Sequence, residues 1–271
     1  MIIRHLYYQV KPYINNSTQA IVITGMRRVG KTTLLQFIFD QIGSSNKLFL
    51  DLEKVLNRKI FEEDDYDKII VALENKGLNF KQKVWLFLDE IHLIKNLPSV
   101  IKYLGDHYNI KFFLTGSASF YLKNHFSESL AGRKFTFELF PFSFAEFLEA
   151  SQAKQIKVKI PQEHKLIGQS VFSIIDNYYQ EYLMFGGFPQ VVSAQSIEEK
   201  KKNLQDVFNS YFELEVKGLS GFKKANEMRD LMFLLLARVG NKLNITDLAN
   251  EVRIDSKTLT KYLSFLEASY F

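Results

Sequence analysis

A glycine at position 25 and a Gly-Lys-Thr run at 30–32 give the spacing G-x-x-x-x-G-K-[ST] within GMRRVGKTT, Gly25 to Thr33. Each residue type has a chemical use at its place. Glycines let the backbone curl so that N–H groups converge on phosphate oxygens, and a helix starting behind them adds positive potential. A lysine at position 31 reaches β- and γ-phosphates, and a hydroxyl at position 32 ligates Mg²⁺. The candidate phosphate set is therefore Gly25, Arg28, Val29, Gly30, Lys31, Thr32 and Thr33. Downstream, Val84-Trp85-Leu86-Phe87-Leu88 runs into Asp89-Glu90. An apolar strand ending in two carboxylates suits Asp89 to hold the metal and Glu90 to polarise an attacking water. Thr115 and Ser117 end another apolar run and either contact the γ-phosphate or water, or cap the strand. Arg133, after Ala131-Gly132, either meets transition-state charge on a phosphoryl group or is a surface cation. Of Arg27 and Arg28, at least one can pair with an acidic neighbour. His92 reads as a hydrogen-bonding side chain, and no His/Asp/Glu spacing suggests zinc.

These residues act together only if the elements carrying them are ordered correctly. Ala20 to Thr24 reads as a buried strand ahead of the loop, and Leu34 to Phe39 as an apolar helix behind it. Lys47 to Leu52, Val84 to Glu90, Ile110 to Leu114 and Lys134 to Phe140 supply four more strands. Between them, Tyr66, Ile69, Ile70 and Leu73 share one helical face, as do Val100, Ile101, Leu104 and Tyr108. Strands alternating with helices imply parallel β-α-β units, and continuous apolar strands imply a sheet covered on both faces. Ligands of such sheets sit at the C-terminal ends of the strands. Asp51, Asp89-Glu90 and Thr115–Ser117 are expected to gather there.

The character changes after residue 143. Ser143-x-x-Glu146 and Ser196-x-x-Glu199 read as capping boxes, Ser151 to Lys159 as a hinge, and 162–184 and 197–217 as helices. Glu227 to Phe271 reads as three helices, with Asn244 capping the second and Asp255 or Ser256 the third. The expected organisation is a P-loop domain over 1–150, a helical lid or linker over 151–222 and a partial winged helix over 223–271.

Composition narrows the class. The 271 residues are 46% hydrophobic and 24% charged with a net charge of +5, which suits a globular chain and permits a nucleic-acid partner. The absence of cysteine excludes disulfides and thiolate metal sites and fits a reducing cytoplasm. No run approaches the roughly eighteen apolar residues of a membrane span.

In order along the chain, GMRRVGKTTLL, LFLDEIHLI, FFLTGSAS, AGR, PFSFAEF and YLMFGGFPQVV resemble a group of bacterial and archaeal AAA-type ATPases similar to the STAND and MNS branches of the P-loop superfamily. The resemblance covers nearly the whole chain. It implies an ASCE-type sheet in which the strand ending at Thr115 lies between the P-loop strand and the Asp89 strand. It implies ATP and Mg²⁺ as ligands, Lys31 and Thr32 on phosphate and metal, Asp89 on metal, Glu90 as base, Ser117 as sensor and Arg133 at the γ-phosphate, in cis or across a homo-oligomer. Such proteins continue into a wing and a restriction-endonuclease-like domain. This chain stops at Phe271, near where the wing should begin, so the expectation is either a truncated chain or one whose nuclease-like part is absent.

Ile245 to Val252, a turn at Arg253-Ile254-Asp255 and Ser256 to Ala268 have helix-turn-helix proportions. Lys257, Thr258 and Lys261 fall on the outer face, where a helix either reads a DNA major groove or docks a protein. The expected activity is Mg²⁺-dependent ATP hydrolysis coupled to the winged-helix module. The alternatives are a slow nucleotide-gated switch and a DNA-binding protein.

Overall fold

The strands that read as uninterrupted apolar runs lie at the centre of the sheet. In the computed structural model, which describes residues 2–116, 130–151, 169–218 and 225–271, five parallel strands stand in the order β2-β3-β4-β1-β5. They are β1 (Ala20–Thr24), β2 (Lys47–Asp51), β3 (Val84–Asp89), β4 (Ile110–Gly116) and β5 (Lys134–Glu138). Every residue of β1, β3 and β4 is buried, whereas β2 and β5 at the edges keep partly exposed positions. β4 separates the Asp89 strand from the P-loop strand, as the resemblance implies.

Strand alternation divides the core in two. One face carries Val22, Leu86, Leu88, Phe112 and Leu114. It packs on α3 (Val55–Phe61), α4 (Tyr66–Glu74) and α5 (Leu97–His107). The other carries Ile21, Ile23, Phe87 and Phe113 against α1 (His5–Asn16) and α2 (Lys31–Gln41). Phe87 and Phe113 stack across neighbouring strands at 4.3 Å. Each such side chain contributes about 1.5–3 kcal/mol by burial, so the sheet that aims the strand tips is rigid.

Beyond the sheet the chain is helical: α6 (Phe144–Ala150), α7 (Gln169–Phe185), α8 (Pro189–Val192) and α9 (Ile197–Tyr211). After α9 comes a π-helical stretch, Phe212–Lys217, then α10 (Ala225–Ala237), α11 (Ile245–Val252) and α12 (Ser256–Ala268). The capping box at Ser143 is complete. Ser196 accepts from Glu199 N, but the Glu199 carboxylate returns to Gln195 N, one residue earlier than a capping box requires. Asn244 caps α11, and Asp255 rather than Ser256 caps α12. Tyr211, Phe212 and Val216 share one core with Met228, Leu248, Leu259 and Leu266.

Three strands end earlier than the sequence suggests, β2 by one residue at Asp51. β3 stops at Asp89, because Glu90 turns into left-handed backbone at φ 56°. β5 stops at Glu138, and Leu139 N closes the ladder to β1 on the Thr24 carbonyl. The hinge expected from Ser151 to Lys159 lies, past Ser151, outside the described residues.

Candidate functional site

The loop between β1 and α2 is shaped by its glycines. Gly25 has φ 148°, and a Cβ there would meet the Leu139 carbonyl oxygen at 2.1 Å, so no other residue fits without displacing backbone. Gly30 has φ 96° and opens α2. Lys31, only 5% exposed, folds back over the loop and donates from Nζ to the carbonyls of Gly25 and Met26, each at 2.9 Å. Burial lowers its pKa to about 8 against the pull of Glu90 and Glu215. Thr32 and Thr33 are exposed. They line a cleft of about 460 Å³ with Gly30, Lys31, Glu90 and both loop arginines. Arg28, at φ 65°, donates to Gln190 Oε1, and Val29 is buried beneath the loop.

Asp89 lies at the tip of β3, buried, and accepts from the Thr115 hydroxyl on β4. Burial pushes its carboxyl up, while the hydroxyls of Thr115 and Thr32 pull it down. Glu90 N points at Thr115 Oγ1 at 3.4 Å. Its carboxylate stands 3.1 Å from His92 Nδ1. Burial raises the Glu90 carboxyl, but His92, Lys31 and Arg27 outweigh it and hold the group at about 2. His92 is thus a partner of Glu90, a role its sequence context did not signal.

Two arginine–glutamate pairs brace the loop from opposite sides. Behind it, Arg4 donates to Val29 O and Phe140 O, both at 2.7 Å, and to Glu146 at 2.9 Å, with its guanidinium over the Phe142 ring. In front, Arg27 Nε donates to Glu215 Oε1 at 2.8 Å, and Glu215 belongs to the π-helical stretch after α9. Tyr270, past α12, shares a 2.7 Å hydrogen bond with Thr24 at the base of the loop and donates to Glu138. The apolar C-terminal residues pack as well: Leu266 is buried and Phe271 stacks on Tyr211.

The structure brings Gly25, Arg28, Val29, Gly30, Lys31, Thr32, Thr33, Asp89, Glu90 and Thr115 to one end of the sheet. It does not bring Arg133. That residue precedes β5, opposite the start of β1, and pairs with Asp106. A five-residue strand is roughly 17 Å long, so Arg133 stands at the wrong end to reach a phosphate in its own loop. Ser117 lies outside the described residues. Lys257 and Lys261 are exposed on α12, whereas the Thr258 hydroxyl is taken up by Asp255. Among the described residues no cluster of three metal-binding side chains occurs, and no helix is long and apolar enough to cross a membrane.

Residues 17–148 match the AAA domain family, and residues 176–271 match a domain of unknown function, DUF8612. An uncharacterized protein of Haemophilus influenzae is 26% identical over 280 residues, covering 100% of this chain and 65% of its own length. An uncharacterized protein of Methanocaldococcus jannaschii is 27% identical over 257 residues, covering 92% of this chain and 54% of its own length. The chain thus spans less than two thirds of these relatives. The ORC2 protein of Aeropyrum pernix, solved in ADPNP–ADP complexes, has a similar fold: TM-score 0.55 at 12% identity, over 97% of this chain and 83% of that one. The chain carries the α/β fold of AAA-type P-loop ATPases.

Proposed function

We propose that the chain binds ATP with Mg²⁺ and hydrolyses it, and that nucleotide state is coupled to the C-terminal helices. The observation carrying this reading is the convergence of Lys31, Thr32 and Glu90 on one cleft, with buried Asp89 in contact with the Thr32 hydroxyl. A second cavity of about 290 Å³ adjoins it, sharing Gly30, Thr33 and Pro189, and is lined by Ile2, Val29, Phe37 and Phe142. A polar cleft continuing into an apolar cavity suits a nucleotide, with the triphosphate in the first and the base in the second.

Asp89 and Thr32 supply two hard oxygen donors, and their hydroxyl–carboxylate contact places them side by side. Such a sparse set fits Mg²⁺, which keeps waters and takes substrate phosphates as further ligands. Bound there, the metal neutralises phosphate charge. Lys31 exchanges its two carbonyl acceptors for phosphate oxygens. Glu90, ionised throughout the neutral range, orients the attacking water by accepting its hydrogen bond. A carboxylate at about 2 is a poor base, yet phosphoryl transfer through a loose transition state needs positioning more than deprotonation. Thr115 fixes Asp89 and the Glu90 backbone together, and His92 holds the Glu90 carboxylate. Arg133 can act only on the nucleotide of a second copy.

Lys31→Ala is expected to abolish nucleotide binding in calorimetry. Glu90→Gln should keep binding and lose about 10²-fold or more in turnover. Affinity unchanged in the first variant, or normal turnover in the second, overturns the assignment. The buried contact between Arg27 and Glu215 favours a second reading, a switch that turns over slowly. Steady-state hydrolysis with and without duplex DNA separates it from a partner-stimulated ATPase, and stimulation would give Lys257 and Lys261 a nucleic-acid role.

A further inference from the structure

The carboxylate of Glu215 is 2% exposed, and it faces the loop that is read here as the phosphate site. Three observations place it there. Arg27, a loop residue that lines the cleft, gives its Nε to Glu215. Ser210 and Leu214, from the same stretch of chain, form part of the cleft wall. The segment is wound as a π-helix, a rare form that recurs at functional sites because it re-aims side chains relative to an α-helix. Glu215 is also near enough to raise the affinity of Lys31 for its proton.

A carboxylate beside two of the three cations of a phosphate loop, Arg27 and Lys31, has a definite effect on what binds. It neutralises Arg27 while the C-terminal helices are docked, and it repels negative charge arriving at Lys31. Lysine at this position serves the β- and γ-phosphates, so the repulsion grows from the diphosphate to the triphosphate. We propose that Glu215 makes the docked chain selective for the diphosphate, so that a bound triphosphate takes Arg27 from Glu215 and releases the C-terminal helices from the loop. This rests on the nucleotide-binding reading above. The released part includes α12 and Tyr270, whose hydroxyl leaves Thr24 at the base of the loop. A ligand shifts such an equilibrium only by its differential affinity for the two forms, and the charge at Glu215 supplies that difference.

The test measures Mg-ADPNP and Mg-ADP affinity by calorimetry for wild type, Glu215→Gln and Arg27→Ala, and hydrogen exchange over 256–271 with each nucleotide. In wild type, ADPNP should speed exchange there and ADP should not. Glu215→Gln should speed exchange without nucleotide and strengthen ADPNP binding about fivefold or more, with a smaller change for ADP. Arg27→Ala should also speed exchange but leave ADPNP binding no tighter, since the cation the triphosphate gains is gone. Equal exchange with ADP and ADPNP in wild type overturns the proposal without any variant. So does an unchanged ADPNP-to-ADP preference in Glu215→Gln; if Lys31→Ala still loses both nucleotides, the phosphate site stands. If wild type binds neither nucleotide, both readings fall.

Discussion

The two arginine–glutamate pairs that grip the loop use the same chemistry and are built for different ends. Arg4 sits behind the loop with donors committed to Val29, Phe140 and Glu146, and with a ring beneath its plane. Glu146 in turn accepts from His5 N and Ser143 N. Neither partner can leave without orphaning several buried groups. Arg27 sits in front of it, 16% exposed on a cleft, and among the described residues its one hydrogen bond goes to Glu215. A buried ion pair owes its permanence to the remaining donors and acceptors, more than to the pair itself. The rear pair is a brace and the front pair is a contact that a ligand can compete for.

The largest expected effect comes from breaking the brace. Arg4→Ala leaves Glu146 charged and buried beside two unpaired carbonyls, so unfolding in denaturant should show a loss of about 3–5 kcal/mol. A loss below about 1 kcal/mol would erase the contrast between the two pairs.

Acid should weaken the same brace. Burial raises the Glu146 carboxyl, but Arg4 and the two backbone donors outweigh it and hold it below its usual 4.5. The unfolded chain therefore takes up this proton first as pH falls. The pair's contribution is complete above the ordinary glutamate value and is lost as pH drops through the lowered native one. Asp89, raised by burial, works in the opposite direction, so the comparison needs a reference. The gap in melting temperature between wild type and Glu146→Gln should be constant from pH 7 to about 5 and narrow below that. A gap that does not narrow would mean the carboxylate's charge is not what Arg4 holds.

The smallest expected change is at the front. Arg27→Ala strands Glu215, but the C-terminal helices can swing its carboxylate into water, which limits the stability loss to roughly 1–2 kcal/mol. A loss as large as that for Arg4→Ala, measured in the same denaturant series, would make the front pair a brace as well.

Much of the architecture was legible because it depends on local pattern. The central strands announce themselves as continuous apolar runs, and the caps at Ser143, Asn244 and Asp255 follow from side chains that satisfy helix N–H groups a few residues away. The tight loop from Gly25 to Thr33 was legible because its spacing is local too. An acidic partner for Arg27 or Arg28 was expected, but which residues meet at the loop was not legible, since the contacts join residues 142, 188 and 246 positions apart and leave no periodic trace. The distance of Arg133 from the loop of its own chain follows from a feature already present in the sequence. A residue just ahead of a parallel strand enters the sheet at the end away from the ligand, whatever its charge.

The strand order has a consequence for how the chain is made. β1 leaves the ribosome before the other four strands of this sheet, yet its neighbours are β4 and β5, which begin at Ile110 and Lys134. For several seconds of ordinary synthesis Ala20 to Thr24 is an apolar strand with both edges unpaired. Nascent chains stalled between residues 24 and 110 are therefore the species most exposed to chaperone capture and to aggregation. The sheet that positions Asp89 and the loop from Gly25 to Thr33 closes only when its last strand arrives beside its first.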